Sequence, residues 1–142
     1  MADKVLSNPA GAFGYTAKQD KLYQQIAPFK AESAITGPAV VAINTTGNVA
    51  TAATNGSAQL VAGICINSPA AGEIAQVVIA GVVDAVPCAG TVSAGQILIR
   101  STTTAGRVNS SATAALGEAM GVAIADGSGA NGTVSVWVKF YG

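Results

Sequence analysis

Histidine is absent from this 142-residue sequence, and charge is scarce. Seven Lys plus Arg and seven Asp plus Glu make up 10% of the residues, against about 25% in an average soluble chain. Without histidine, the usual base of a nucleophilic triad and the commonest zinc ligand alongside cysteine are both missing. The formal net charge is zero, which leaves no basic footprint for nucleic-acid phosphates or an anionic membrane surface. The two cysteines, Cys65 and Cys88, make no disulfide framework and belong to no CxxC pair. Each lies in an apolar context (GICI and VPCAG) that suits a small core thiol made in a reducing compartment. Long apolar runs are lacking too. The stretch from Ile74 to Val83 contains Gln76 and falls well short of the roughly 20 residues that cross a bilayer. The opening MADKVLSNPAGAFGY has no apolar h-region of a secretion signal. These absences predict a chain with no metal, no cofactor, no nucleic-acid partner and no membrane span.

Half of the residues are apolar, mostly alanine and valine, and 17 glycines come in addition. Disorder is excluded, since it accompanies low hydrophobicity and high net charge. The length suits one domain with a buried core. The aromatic residues divide it: Phe13, Tyr15, Tyr23 and Phe29 lie near the start, Trp137, Phe140 and Tyr141 at the end, and none between. Four of the seven basic residues, Lys4, Lys18, Lys21 and Lys30, also fall in the first thirty. This shift marks residues 1–35 as an N-terminal arm, distinct from a β domain over 36–142. Within the arm, Thr16 can cap a short helix through AKQDKLYQQI, with Tyr15, Leu22 and Ile26 on one stripe and Pro28 as its stop. About three turns need something to pack on. The arm either folds onto its own domain or docks on a neighbouring subunit.

From Gly37 onward the pattern is β. Val- and Ile-rich runs near 38–43, 48–53, 59–66, 73–80, 81–86, 96–100, 106–109, 117–125 and 133–141 alternate with turn clusters such as Thr46-Gly47, Asn55-Gly56, Ala71-Gly72, Ala105-Gly106 and Asn131-Gly132. Such spacing predicts an all-β, compact barrel or sandwich of short strands. An internal echo accompanies it: Gly63-Ile-Cys-Ile, a loop and Gly72-Glu-Ile-Ala-Gln-Val-Val-Ile parallel Gly121-Val-Ala-Ile, a loop and Gly132-Thr-Val-Ser-Val-Trp-Val.

Reactive constellations are missing. Gly127-Ser-Gly129-Ala-Asn-Gly132 fits GxGxxG, but a valine-rich strand follows where a dinucleotide site needs a helix, so it reads as a hairpin loop. Glu73, Asp84, Glu118 and Asp126 are scattered singly, and Asp84 in VVDAV reads as an edge carboxylate facing Arg100 or Arg107. The expectation is a protein without enzymatic activity. Asn-x-Ser/Thr triplets at Asn44, Asn55, Asn109 and Asn131 read as by-products of polar turns. The last strand is more telling. Val134, Val136, Val138 and Phe140 share one face, and Ser135, Trp137, Lys139 and Tyr141 the other. The valines should line the core. An indole on the polar face suits a protein–protein contact, unless the chain's own N-terminal segment covers it. Candidate interface residues are therefore Phe13, Tyr15, Tyr23, Phe29, Trp137, Lys139 and Tyr141.

The run GICINSPAAGEIAQVVIAGVV, then Ser93-Ala-Gly-Gln-Ile-Leu-Ile, Gly106-Arg-Val, Leu116-Gly-Glu-Ala-Met-Gly-Val-Ala and Gly132-Thr-Val-Ser-Val-Trp-Val, resembles the capsid cement, or head decoration, proteins of tailed bacteriophages. The resemblance covers about residues 37–142. It implies a β-barrel virion protein on the outer head surface at junctions between major capsid protein subunits, often a homotrimer, made in the host cytoplasm and stabilising the shell. The alternative is a phage fibre or surface module that binds a host receptor or glycan.

Overall fold

The computed structural model describes residues 24–54, 59–113 and 118–139. Among them are nine strands and no helix: β1 (Gln25–Lys30), β2 (Ala39–Ile43), β3 (Val49–Thr51), β4 (Val61–Cys65), β5 (Ile74–Pro87), β6 (Ile97–Arg100), β7 (Val108–Ser110), β8 (Gly121–Ala123) and β9 (Thr133–Val138). All pair antiparallel in one curled sheet of order β3-β2-β4-β5-β9-β8-β6-β7, with β1 added on β5. The all-β expectation holds. The expected short helix does not extend over its last three residues, because Gln24 is not helical and Gln25 and Ile26 lie in β1, paired with Ala80 and Val78; residues 17–23 lie outside the described residues. Pro28 does not stop a helix. It sits within β1, whose one paired neighbour is β5, as an edge strand permits.

The sheet is two copies of one unit joined through β5. The first unit is β1 to β4 with the first half of β5; the second is the rest of β5 with β6 to β9. Their registers match pair for pair. Val41 faces Gly63 and Thr51 in the first, as Leu98 faces Gly121 and Ser110 in the second. Cys65 faces Val77 as Ala123 faces Val136, and Phe29 faces Ala75 as Val86 faces Val134. Parallel bridges draw each curl together at matching places, Ala31 to Val49 and Cys88 to Val108. The echo around Gly63 and Gly121 is the visible trace of this repetition.

One strand serves both units because it bends. Gly81 (φ +116°) stands where β5 exchanges β1 for β9 as its neighbour, and a bulge at Asp84-Ala85, with Ala85 at φ +57°, turns the strand further. Burial follows. A smaller core of Ala31, Ile35, Ala39, Val41, Val49, Cys65, Ala75 and Val77 lies inside the first curl, with Phe29 half-buried against it. The larger core fills the second curl with Val86, Leu98, Val108, Ala123, Val134, Val136 and their neighbours, and also takes Val40, Ile64 and Val78 from the outer face of the first. β2 is therefore buried on both faces from Ala39 to Ala42. The valine face of β9 lines this core as expected, with Val134, Val136 and Val138 at 2% exposure or less.

The two matching glycines explain how closely the hairpins press. A Cβ on Gly63 would lie 2.2 Å from the Val78 carbonyl oxygen, and one on Gly121 2.4 Å from that of Trp137. Replacing Gly121 with Ala must push β8 off β9 and should cost roughly 1–3 kcal/mol, read as a lower urea midpoint with unchanged slope.

Glu32 clamps the first curl. Its amide donates to the Val49 carbonyl, and its carboxylate accepts from Asn48 Nδ2 (2.8 Å) and Thr46 Oγ1 (2.9 Å) across the β2–β3 turn. The hydrogen bonds from Asn48, then Thr46 and Asn44, hold the carboxyl below its ordinary value. A lowered folded-state pKa contributes stability above the unfolded value that is lost as pH falls through the folded one. Glu32→Gln should therefore lower stability at neutral pH and converge with the parent in acid, as paired urea titrations across pH would show.

Candidate functional site

Four strands of the second unit carry a continuous apolar row on their outer face. Ile97 of β6 faces Val122 of β8, Val122 faces Trp137 of β9, and Trp137 faces Val82 of β5. Residues directly opposite in antiparallel strands project to the same side, so the four form one stripe across the sheet. Trp137 is 44% exposed and Ile97 40%, while Val82 and Val122 are half-buried. Ile124, two residues beyond Val122, extends the patch at 49% exposure. Lys139 borders it, its Nζ 5.0 Å from the centre of the Trp137 ring. This is a cation–π contact on the outward face of β9. The Gln24 side chain donates to the carbonyl of Val82 and ties the start of the described chain to the end of the row.

The expected interface residues are distributed unevenly. Trp137 and Lys139 come together on the outer face. Phe29 lies instead on the inner side of β1, packed against the smaller core. Phe13, Tyr15, Tyr23 and Tyr141 lie outside the described residues. Ile97, Val82 and Val122 belong to the patch but escape sequence reading, because only the register across four strands aligns them with Trp137.

The polar groups serve local structure. Asp84 accepts from Ser135 Oγ (2.9 Å) across the bulge, and not from the expected arginines: Arg100 donates to the Gln59 carbonyl and Arg107 to that of Cys88. Glu73 accepts the Ala70 amide and Asp126 that of Ala94, each bracing a loop. The loop with the GxGxxG pattern joins β8 to β9, pinned by the Ser128 hydroxyl on the Thr133 amide. Cys65 and Cys88 are buried, free thiols in different cores. Burial pushes the Cys65 thiol up, and its Sγ donates to Asn67. Among the described residues, no three His, Cys, Asp or Glu side chains are placed to share a metal ion. An open cleft of about 380 Å³ lies between the units, lined by Thr36, Pro38, Thr51, Pro87, Gly106 and Arg107 among others. It brings together no acid–base pair.

Row and curl together define a β module that presents an apolar outer surface. No family model and no curated protein sequence matches the chain. Among solved structures it is similar to the N base of the head fibre gp8.5 of bacteriophage phi29. The TM-score is 0.56 at 12% identity, over 82% of this chain and 94% of that one. The likeness is one of fold: this chain has the fold of a phage head-fibre base.

The Lys139–Trp137 contact is exposed, so Lys139→Met should lower stability by no more than about 1 kcal/mol. A larger loss in urea unfolding, followed by the emission of the single tryptophan, would mean that the lysine does more than cap the ring.

Proposed function

We propose that this chain is a structural virion module of a bacteriophage, the base that seats a fibre-like appendage on the outside of the head. The observation that carries the reading is the fold shared with the N base of a head fibre over nearly the whole of that chain. Two further features support it. Glu73, Asp84 and Asp126 brace loops and the β5 bulge, and the outer face of the second unit offers an aromatic-centred patch of the kind that anchors protein contacts. The proposed partner is the major capsid protein, with a homotrimer as the attached form. The aromatic residues at the two ends, Phe13, Tyr15, Tyr23, Trp137 and Tyr141, with Lys139, are the proposed contacts. The role is mechanical, with no catalytic step and no cofactor.

A second reading is favoured by the motif order over residues 37–142: a cement protein that stabilises the shell. The two differ thermodynamically. A ligand that binds only the assembled shell lowers its free energy by RT ln(1 + [L]/Kd) at each site, and spanning several subunits multiplies the effect. A fibre base needs only to hold its own appendage.

The test mixes purified protein with heads stripped of surface proteins and records bound copies beside the heads' melting temperature. Saturable binding at few copies, with little change in melting, is expected for the base. Saturation over the whole lattice with a clear rise in melting would replace it with the cement role. No saturable binding would overturn both.

A further inference from the structure

The repeated register gives each unit an apolar row on its outer face. In the first unit it runs through Val40, Ile64 and Val78; in the second, through Ile97, Val122 and Trp137, with Val82 beyond. The first row is wholly buried, because another unit of the same build packs over it. The second row is the exposed patch. Like-on-like cover is thus how this fold already closes one such face.

The flanks of the exposed row carry opposite charges. Along β9, Trp137 stands midway between Ser135 and Lys139, which project to the same side. On one flank Lys139 reaches back over the indole. On the other, the exposed Asp84 accepts from the Ser135 hydroxyl, and Ile124 lies there too, its amide bonded to the Ser135 carbonyl. The rise from Ser135 to Lys139 puts about 14 Å between the two flanks. The order across the patch is therefore acid, apolar row, base.

An order of this kind is complementary to itself. Half a turn about an axis along the row reverses the strands of a second copy and lays apolar row on apolar row. Lys139 of each copy then lies over the Asp84 flank of the other. A half turn about the strand direction instead sets Lys139 against Lys139 and Asp84 against Asp84, which repel. Two sheets packed face to face lie about 10 Å apart, room for the two indoles to meet as an offset pair. A partner of uniform charge is repelled at one flank, whereas a second copy is attracted at both.

We propose that two copies of this chain pair face to face in the free protein through the row Val82–Trp137–Val122–Ile97. The two-fold axis runs along the row, and Lys139 of each copy sits beside Asp84 of the other. The contact is isologous and closes at two copies. It concerns the chain without heads, so it stands or falls separately from the head-binding role; attachment as a homotrimer through the same face requires the pair to part first.

Sedimentation velocity on the full chain should show a reversible dimer that dissociates on dilution, and more readily in high salt, which screens exposed charges. Acrylamide quenching of the single tryptophan should rise several-fold over the same dilution. Lys139→Glu and Asp84→Lys should each weaken the dimer by about tenfold or more with the far-ultraviolet β signal kept, because each variant sets like charges together twice. An equimolar mixture of the two variants should dimerise again, since both contacts of the mixed pair then join opposite charges. A parent chain that stays monomeric or forms a trimer would overturn the proposal. So would quenching that does not change with dilution, single variants that dimerise like the parent, or folded variants that fail to pair when mixed.

Discussion

Everything in this fold depends on one strand being shared by two curled sheets. β5 runs 14 residues, far beyond the five or six usual for a strand. Its first half completes one unit with β1 and β4, and its second half opens the next beside β9. Neither unit buries its apolar outer face alone. The bend at Gly81 and the bulge at Asp84-Ala85 swing the second unit so that its valines close over Val40, Ile64 and Val78. Each such fully buried side chain contributes roughly 1.5–3 kcal/mol, which makes the contact between units a major part of the core and not a seam between independent domains. A straight β5 would leave that face wet.

Much of this was legible from residue order. The eight later strands follow from Val- and Ile-rich runs cut by turn residues, and the faces of β9 follow from simple alternation. Two runs expected as separate strands, 73–80 and 81–86, turn out to be the halves of β5, because a glycine that reads as a break acts there as a bend. β1 was hidden. Gln24, Gln25, Pro28 and Lys30 carry no strand signature, and Leu22 and Ile26 keep helical spacing with Tyr15. Pairing with β5 overrides that local preference, as tertiary context does for short segments. The repetition showed only as an echo around Gly63 and Gly121, matching positions where backbone contact forbids a side chain. Elsewhere valine matches valine at Val77 and Val136 and at Val49 and Val108, but key positions differ in identity, Trp137 against Val78 and Phe29 against Val86, so alignment by eye fails where register succeeds.

For the candidate site the limit is of the same kind. Trp137 and Lys139 stand out on the last strand, but the apolar neighbours Val122, Ile97 and Val82 lie 15, 40 and 55 residues before Trp137 in the chain. Only the sheet order joins them. The duplicated build also gives the exposed row its meaning. A lone tryptophan on a surface is ordinary. A row whose counterpart lies fully covered in the same molecule is the basis for proposing a contact face. Head-fibre and cement readings both use such a face, and they part over what binding does to the shell.

Under the proposed virion role, the two thiols bear on life outside a cell. Cys65 and Cys88 lie in separate interiors, and the first is held further from its reactive thiolate by burial. On a particle displaying the chain as proposed, this sulfur would be reached slowly by oxidants and would not stitch neighbouring copies into covalent clumps. Protection of the two thiols in an oxidising medium would then come from enclosure.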